Sequence, residues 1–245
     1  MRNLSDSVAL ITGASSGIGR AISVKLAHLG YKLCLIGRNV EKLKSVKAET
    51  EGYGVEVKYF KVDLYSDREI YDLKEKFLEH FDNLDILIHS AGEFSMGYLE
   101  SASLDDFDRQ IQINMRAPFL LTQVMLDLIK NRKGEIIFIN SSAGLNARAK
   151  FSQYAATKHA LKAIADSLRD EVNIAGVRVT SIFPGRTATP MQEKVLEMEA
   201  RTDKEKIMAR LLQPSDVAEV IAHVISLPRT AEVTDVIVRP FQKAI

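Results

Sequence analysis

Cysteine is nearly absent from this chain. Cys34 is the only one in 245 residues, so no disulfide can close within it, and its place in the apolar run Leu33–Ile36 makes it a small core residue rather than a nucleophile. Long apolar runs are missing too; none approaches the roughly 18 residues of a membrane span. Charge of one sign is equally scarce. Thirty-three Lys plus Arg against 32 Asp plus Glu leave a net charge of +1 with no long single-sign block, which gives neither nucleic acid nor an anionic membrane anything to hold. A small molecule is the expected partner. There is no Pro/Gly-rich linker, internal repeat or low-complexity tract, no His/Cys/carboxylate set at zinc spacing, no Gly-Lys-Ser/Thr phosphate loop and no G-x-S-x-G turn for a hydrolytic serine. His89 and His159 therefore read as structural or surface histidines, and no metal is expected. The apolar stretch from Val8 runs directly into a glycine-rich loop, so it is not read as a removable signal peptide, and a cytoplasmic location is expected.

What the chain does have is rhythm. With 46% hydrophobic residues it can bury a sizeable core. Short apolar runs recur, each ending in small or polar residues: VALITGASSG, LCLIGRN, VKYFKVDL, DILIHSAG, EIIFINSSAG, VRVTSIFPG and VTDVIVRP. They read as strands buried on both faces. Between them lie amphipathic stretches long enough for helices, at 19–30, 40–51, 67–81, 104–131 and 154–175. Strand and helix in alternation imply a parallel sheet with helices on both faces, because parallel strands need crossover connections. Seven strands without a linker predict one doubly wound α/β domain spanning 1–245. The charged, helix-prone interval 187–213 breaks the rhythm; it reads as a mobile lid or as a solvated helical hairpin with a core stripe of Met191, Val195, Leu196, Ile207 and Leu211.

In such sheets ligands sit beyond the carboxyl ends of the strands, so the residues that end each run matter most. The first run ends in Thr12-Gly-Ala-Ser-Ser-Gly-Ile-Gly19. Gly13, Gly17 and Gly19 allow a sharp turn and a close backbone approach, and with Ser15, Ser16 and Ile18 they open a helix whose free N–H groups and positive dipole suit a pyrophosphate. The second run ends at Gly37-Arg38. Gly37 stands where a site for NAD(H) wants a carboxylate on the ribose 2′-hydroxyl, and Arg38 can pair with a 2′-phosphate instead, which predicts NADP(H) in preference to NAD(H).

Tyr154 is the only one of seven tyrosines with a lysine four residues on, Lys158. On a helix the two side chains share a face, and an ammonium beside a phenol is expected to lower its pKa from about 10, making it a usable proton donor and acceptor. Ser141 closes the fifth run thirteen residues earlier.

Together these residues resemble the short-chain dehydrogenase/reductase family in its form of about 250 residues, over almost the whole chain. TGASSGIG at 12–19 is similar to its TGxxxGxG cofactor loop, and Ser141 with Tyr154-x-x-x-Lys158 matches its catalytic spacing. Asn114, in IQINMRAPF, matches its active-site Asn; Asp63-Leu64 looks like the pair that contacts adenine; Ser90-Ala91-Gly92 stands where the family has Asn-Ala-Gly; and Pro184-Gly185 with Thr187 and Thr189 is similar to the segment on the nicotinamide carboxamide and phosphates. The C-terminal TDVIVRPFQKAI lacks the family's usual glycine-rich ending.

The resemblance implies a Rossmann-type fold and hydride transfer between NADP(H) and a carbonyl or secondary-alcohol substrate. Tyr154 would be the acid/base, Lys158 would tune it and bind the nicotinamide ribose, Ser141 would hold the substrate oxygen, and Asn114 would position a water leading from Lys158 to solvent. A homodimer or homotetramer is expected on the same ground. Substrate walls are expected from 93–98, 143–151 and 186–198, with Arg148 and Lys150 read as solvated charges or as attractors of an anionic substrate. Two other readings stay open: a 3-oxoacyl thioester (acyl-carrier) reductase, and a non-catalytic NADP(H)-binding sensor.

Overall fold

The computed structural model describes residues 6–242; the two ends of the expected 1–245 unit lie outside the described residues. Seven strands form one all-parallel sheet: β1 (Val8–Thr12), β2 (Lys32–Gly37), β3 (Val57–Lys61), β4 (Ile86–His89), β5 (Glu135–Ile139), β6 (Arg178–Pro184) and β7 (Asp235–Val238), in the order β3-β2-β1-β4-β5-β6-β7. The strand order reverses between β1 and β4, so a crevice opens past their carboxyl ends.

The continuous apolar runs are explained by two cores. Successive side chains on a strand face opposite ways, so Leu10, Cys34, Ile36, Leu87, Ile136 and Phe138 pack on one side of the sheet, and Ala9, Ile11, Leu33, Leu35, Ile88 and Ile137 on the other. The first side is covered by α3 (Asp67–Leu78), α5 (Ala117–Arg132) and α6 (Ser152–Val172), through residues such as Phe77, Met125 and Leu161. The second is covered by α1 (Gly17–His28), α2 (Val40–Glu51) and α9 (Pro214–Ser226), through Ile22, Leu43 and Ile221.

Several expected boundaries shift. The first helix begins at Gly17 rather than residue 19, because the loop glycines are already its first turn. The stretch 104–131 is not one regular helix: α4 (Leu104–Ile111) passes through a π-helical turn, Gln112–Arg116, into α5, with the Ala117 N–H bonded back to the Gln112 carbonyl. Asn114 lies inside that wider turn. Within 187–213 are α7 (Pro190–Met198) and α8 (Lys204–Met208). Leu196, Ile207 and Leu211 form their small core as expected. Met191 does not join it; it is exposed at the mouth of the crevice.

Candidate active site

The crevice is a trough of about 320 Å³. Its floor is the β1–α1 turn, Gly13 and Ser15–Gly19; Gly37, Arg38, Asn39 and Lys42 stand on one side with Val62, Asp63 and Leu64, and Ser90, Ala91, Gly92 and Ile113 on the other, with Thr189, Pro190 and Met191 over the edge. The glycines are there because nothing larger fits. A Cβ on Gly13, whose φ is +66°, would come within 2.8 Å of the Ala91 backbone, and one on Gly19 within 2.3 Å of the Gly13 carbonyl oxygen.

The end of α1 that faces the trough is built for an anion. Its N-cap Ser16 makes no side-chain cap, and its first turn holds no acidic residue. By contrast α2, α3 and α7 are capped by Asn39, Ser66 and Thr189 and carry acidic residues in their first turns. Free N–H groups, a positive dipole end and no local carboxylate are the conditions under which a pyrophosphate binds a helix.

The two strand ends either side of the crevice are tied by a residue the sequence reading quoted but did not assign. The buried Thr12 hydroxyl accepts from the N–H groups of Ser90 (3.0 Å) and Ala91 (3.1 Å) and donates to the Ile88 carbonyl (3.4 Å). Beyond Gly92 the chain is clamped by Asn114, whose Oδ1 accepts from the Glu93 N–H and whose Nδ2 donates to the Glu93 carbonyl, both at 2.8 Å. The Asn114 amide also donates to Thr157 Oγ1 at 3.1 Å. Both amide protons and one lone pair of the Asn114 side chain are thus engaged by protein partners.

This clamp delivers Phe94 against Tyr154, ring centroids 4.9 Å apart, with Phe151 5.2 Å from Phe94 on another side. Tyr154 sits in the first turn of α6, facing the end of β5. Its phenol lies beside the Ser141 side chain, whose Oγ accepts from the Ala143 N–H at 3.1 Å. Lys158, one turn on, is buried, and its Nζ donates to the Ile139 carbonyl at 3.0 Å.

The electrostatics depart from the sequence expectation. Burial pushes the Tyr154 phenol up to about 12, with the Ser141 hydrogen bond pulling the other way. Burial also lowers the Lys158 ammonium to about 8. The lysine Nζ is 5.8 Å from the phenol ring centroid and engaged with Ile139, so desolvation outweighs its field. The expected lowering of the phenol pKa by Lys158 is not seen here.

Gly13, Ser15, Ser16, Gly17, Ile18, Gly19, Arg38, Asp63, Leu64, Ser90, Ala91, Gly92 and Thr189 all line the trough as the motifs suggested. Tyr154 and Lys158 do not line it, nor do Pro184, Gly185 and Thr187: Pro184 and Thr187 are buried, the Gly185 N–H donates to the Val238 carbonyl at 2.7 Å, and the Thr187 hydroxyl donates to the Gly185 carbonyl. Pro184 and Gly185 pair with the end of β7 and Thr187 bridges to Leu212. Sequence reasoning missed Asn39, Lys42, Val62, Ile113, Pro190 and Met191 as lining residues; only Lys42, four residues past Arg38, carried a charge that could have signalled its place. His89 is buried and stacked on Phe138, and burial lowers its imidazole to about 3. Lys150 is exposed, its Nζ 4.7 Å from the Tyr98 ring centroid. Among the described residues there is no cluster of three His, Cys, Asp or Glu suited to a metal, and no helix long and apolar enough to cross a membrane.

Residues 7–200 match the short chain dehydrogenase family. The chain belongs to that family. This short-chain dehydrogenase, an oxidoreductase by membership, is 33% identical to an uncharacterized oxidoreductase of Staphylococcus aureus over 98% of its own length and the whole of the relative. In structure it is similar to an alcohol dehydrogenase of the archaeon Thermococcus sibiricus complexed with 5-hydroxy-NADP, at 28% identity and a TM-score of 0.87 over 97% of this chain and 98% of that one. It is also similar to a metagenomic short-chain oxidoreductase in complex with NADP, at 31% identity and a TM-score of 0.84 over 99% and 100% of the two chains.

Proposed function

We propose that this short-chain dehydrogenase moves a hydride between NADP(H) and a ketone, aldehyde or secondary alcohol, with Tyr154 as the acid/base. The observation that carries the reading is the Ser141–Tyr154 hydroxyl pair, set next to a trough whose floor ends on an uncapped helix. The α1 turn would hold the pyrophosphate, Asp63 and Leu64 the adenine, Arg38 the 2′-phosphate, Tyr154 and Lys158 the nicotinamide ribose, and Thr189 the carboxamide end. The NADP complexes of two similar structures support the same cofactor. Bound there, the nicotinamide supplies the hydride or takes it.

The rest of the chemistry falls to side chains. The phenol carries its proton at neutral pH and can donate it to a carbonyl oxygen as negative charge develops there; burial makes it a weaker acid than a free phenol, so donation relies on the cation and hydroxyl beside it. Ser141 is placed to hydrogen-bond that oxygen and to stabilise the charge. Lys158, lowered by burial only to about 8, is still largely charged at neutral pH and places a positive charge one helical turn from the phenol. Phe94 and Phe151 present an apolar wall beside Tyr154, favouring a substrate with an apolar flank. Residues 187–213 act as its lid, with Thr189, Pro190 and Met191 as the part that already overhangs the trough. The assembly proposed is a homodimer or homotetramer in the cytosol, with exposed Leu104 and Phe119 on α4 and α5 as contact surface.

The test is NADPH oxidation across a panel of ketones, aldehydes and both free and carrier-bound 3-oxoacyl thioesters, in wild type and Tyr154→Phe. Turnover in the wild type that falls about 100-fold or more in the variant, with NADPH still bound, is the expected result. Activity above a few per cent in Tyr154→Phe sinks the assignment. NADPH binding with no turnover on any member of the panel favours a sensor, and activity confined to carrier-bound thioesters favours the acyl-carrier reductase.

A further inference from the structure

Arg38, the residue that would read a 2′-phosphate, is not free to do so. Its Nη2 is 3.4 Å from Oε1 of Glu93, fifty-five residues away. Arg38 leaves the end of β2 and Glu93 follows β4, and these strands are not neighbours: β1 runs between them. Two inter-strand spacings put the strand ends roughly 10 Å apart. The ground between is the floor of the trough, traced by near contacts: a Cβ on Gly37 would lie 3.4 Å from Ser15 Oγ, and a Cβ on Gly13 would lie 2.8 Å from the Ala91 backbone. The ion pair therefore reaches across the floor from one wall to the other.

The two ends of this bridge differ in freedom. The Arg38 side chain is 63% exposed and the Glu93 side chain 28%. The Glu93 backbone is pinned at both its N–H and its carbonyl by Asn114, so the acidic side chain leaves from a fixed point while the more exposed Arg38 has the greater freedom. Beside them Lys42 faces the trough with an ammonium that forms no ion pair among the described residues, its neighbours Lys44 and Lys47 being paired with Glu41 and Glu51. A phosphate monoester arriving here meets one free cation and one already engaged.

We propose that Glu93 is a specificity-determining residue: it competes with the cofactor's 2′-phosphate for Arg38 and so sets how strongly NADP(H) is preferred over NAD(H). The inference rests on the NADP(H) reading. A 2′-phosphate takes Arg38 from Glu93 because it offers more charge and several oxygens to the guanidinium fork. A 2′-hydroxyl offers neither and leaves the pair intact. Exposed ion pairs of this length are weak, so the effect is a tuning of preference, not a block on binding.

The experiment titrates NADPH and NADH, by nicotinamide fluorescence at low ionic strength, into wild type, Glu93→Gln, Arg38→Ala and the double variant. Glu93→Gln removes no buried group and leaves the backbone clamp by Asn114 in place. The expected result is NADPH binding about 2- to 5-fold tighter in Glu93→Gln, NADH binding unchanged, and no effect of Glu93→Gln when Arg38 is already Ala. The last comparison separates competition for Arg38 from simple removal of a negative charge, which would persist in the Arg38→Ala background. Unchanged or weaker NADPH binding in Glu93→Gln overturns the proposal, as does equal tightening of NADPH and NADH. The cofactor reading fails separately: Arg38→Ala would then weaken NADPH and NADH alike, whereas a selective loss for NADPH with no response to Glu93→Gln leaves NADP(H) standing and removes only the role of Glu93.

Discussion

Asn140 and Lys158 hold each other across the end of β5. The Asn140 side-chain amide donates to the Lys158 carbonyl at 3.1 Å, while the Lys158 ammonium donates to the carbonyl of Ile139, the residue before Asn140, at 3.0 Å. Neither atom pair involves the Tyr154 phenol, yet together they fix the turn of α6 on which Tyr154 and Lys158 stand. The same Asn140 side chain accepts from the Ser141 N–H at 2.8 Å, so one amide positions both the serine and the lysine.

Gly144 is packed into this joint. A Cβ there would fall 2.4 Å from Asn140 Oδ1 and 2.9 Å from the Lys158 carbonyl oxygen, neither of which can move without losing its bond. Gly144→Ala is expected to cost about 1–3 kcal/mol, lowering the thermal midpoint by several degrees. Activity should fall more steeply than folded fraction, because the displaced atoms carry Lys158. An unaltered melting curve would show that the joint yields.

Lys158 is held at a cost to the fold. Its folded pKa of about 8 lies below the ordinary value, so below pH 8 the protein keeps a charge buried that the unfolded chain keeps in water. The unfolded state binds more protons between about pH 8 and 10.4, so stability rises with pH across that window. Lys158→Met is therefore expected to unfold about 1–2 kcal/mol later than wild type at pH 7 and to lose that advantage by pH 10, while turnover disappears. Denaturant titrations at both pH values check the sign.

His89 works in the opposite range. Burial lowers its imidazole to about 3, with Nε2 2.9 Å from Thr122 Oγ1 and the ring stacked on Phe138. Below about pH 6.5 the unfolded chain takes up a proton that the folded protein refuses, so this contribution is intact above 6.5 and is lost as pH falls towards 3. Between pH 7 and 5 the loss amounts to about 2 kcal/mol. A His89→Gln variant should show a correspondingly smaller drop in urea midpoint over that interval; an equal drop would place the acid sensitivity elsewhere.

Thr12→Val keeps the shape of the side chain and removes the hydroxyl that joins β1 to the Ser90–Ala91 segment. Two backbone donors lose their acceptor, for an expected loss of about 1–3 kcal/mol. Since those residues form one wall of the trough, dinucleotide affinity should weaken as well, measured by the same fluorescence titration. Thr12→Ser restores the hydroxyl and should restore both.

Much of this was legible before the chain was folded. Period-two packing on two faces makes a buried parallel strand mostly apolar along its length, so β1, β2, β4 and β5 announce themselves as short runs. Glycines at 13, 17 and 19 mark a turn that side chains would obstruct. The Tyr154–Lys158 spacing marks a helical face. All of these are local: they depend on residues within a few positions of one another, and the chain's own periodicity encodes them.

What only the tertiary structure decided are relations between distant residues. It bound the Asn114 side chain to the backbone of Glu93, twenty-one residues earlier. It paired Pro184 and Gly185 with the end of β7, and it aimed Lys158 at Ile139 so that desolvation governs its charge. It also set Arg38 against Glu93 across a trough. A sequence lists which groups are available. Their partners, and with them the balance of desolvation against pairing that fixes charge and affinity, exist only once the sheet has brought the strand ends together.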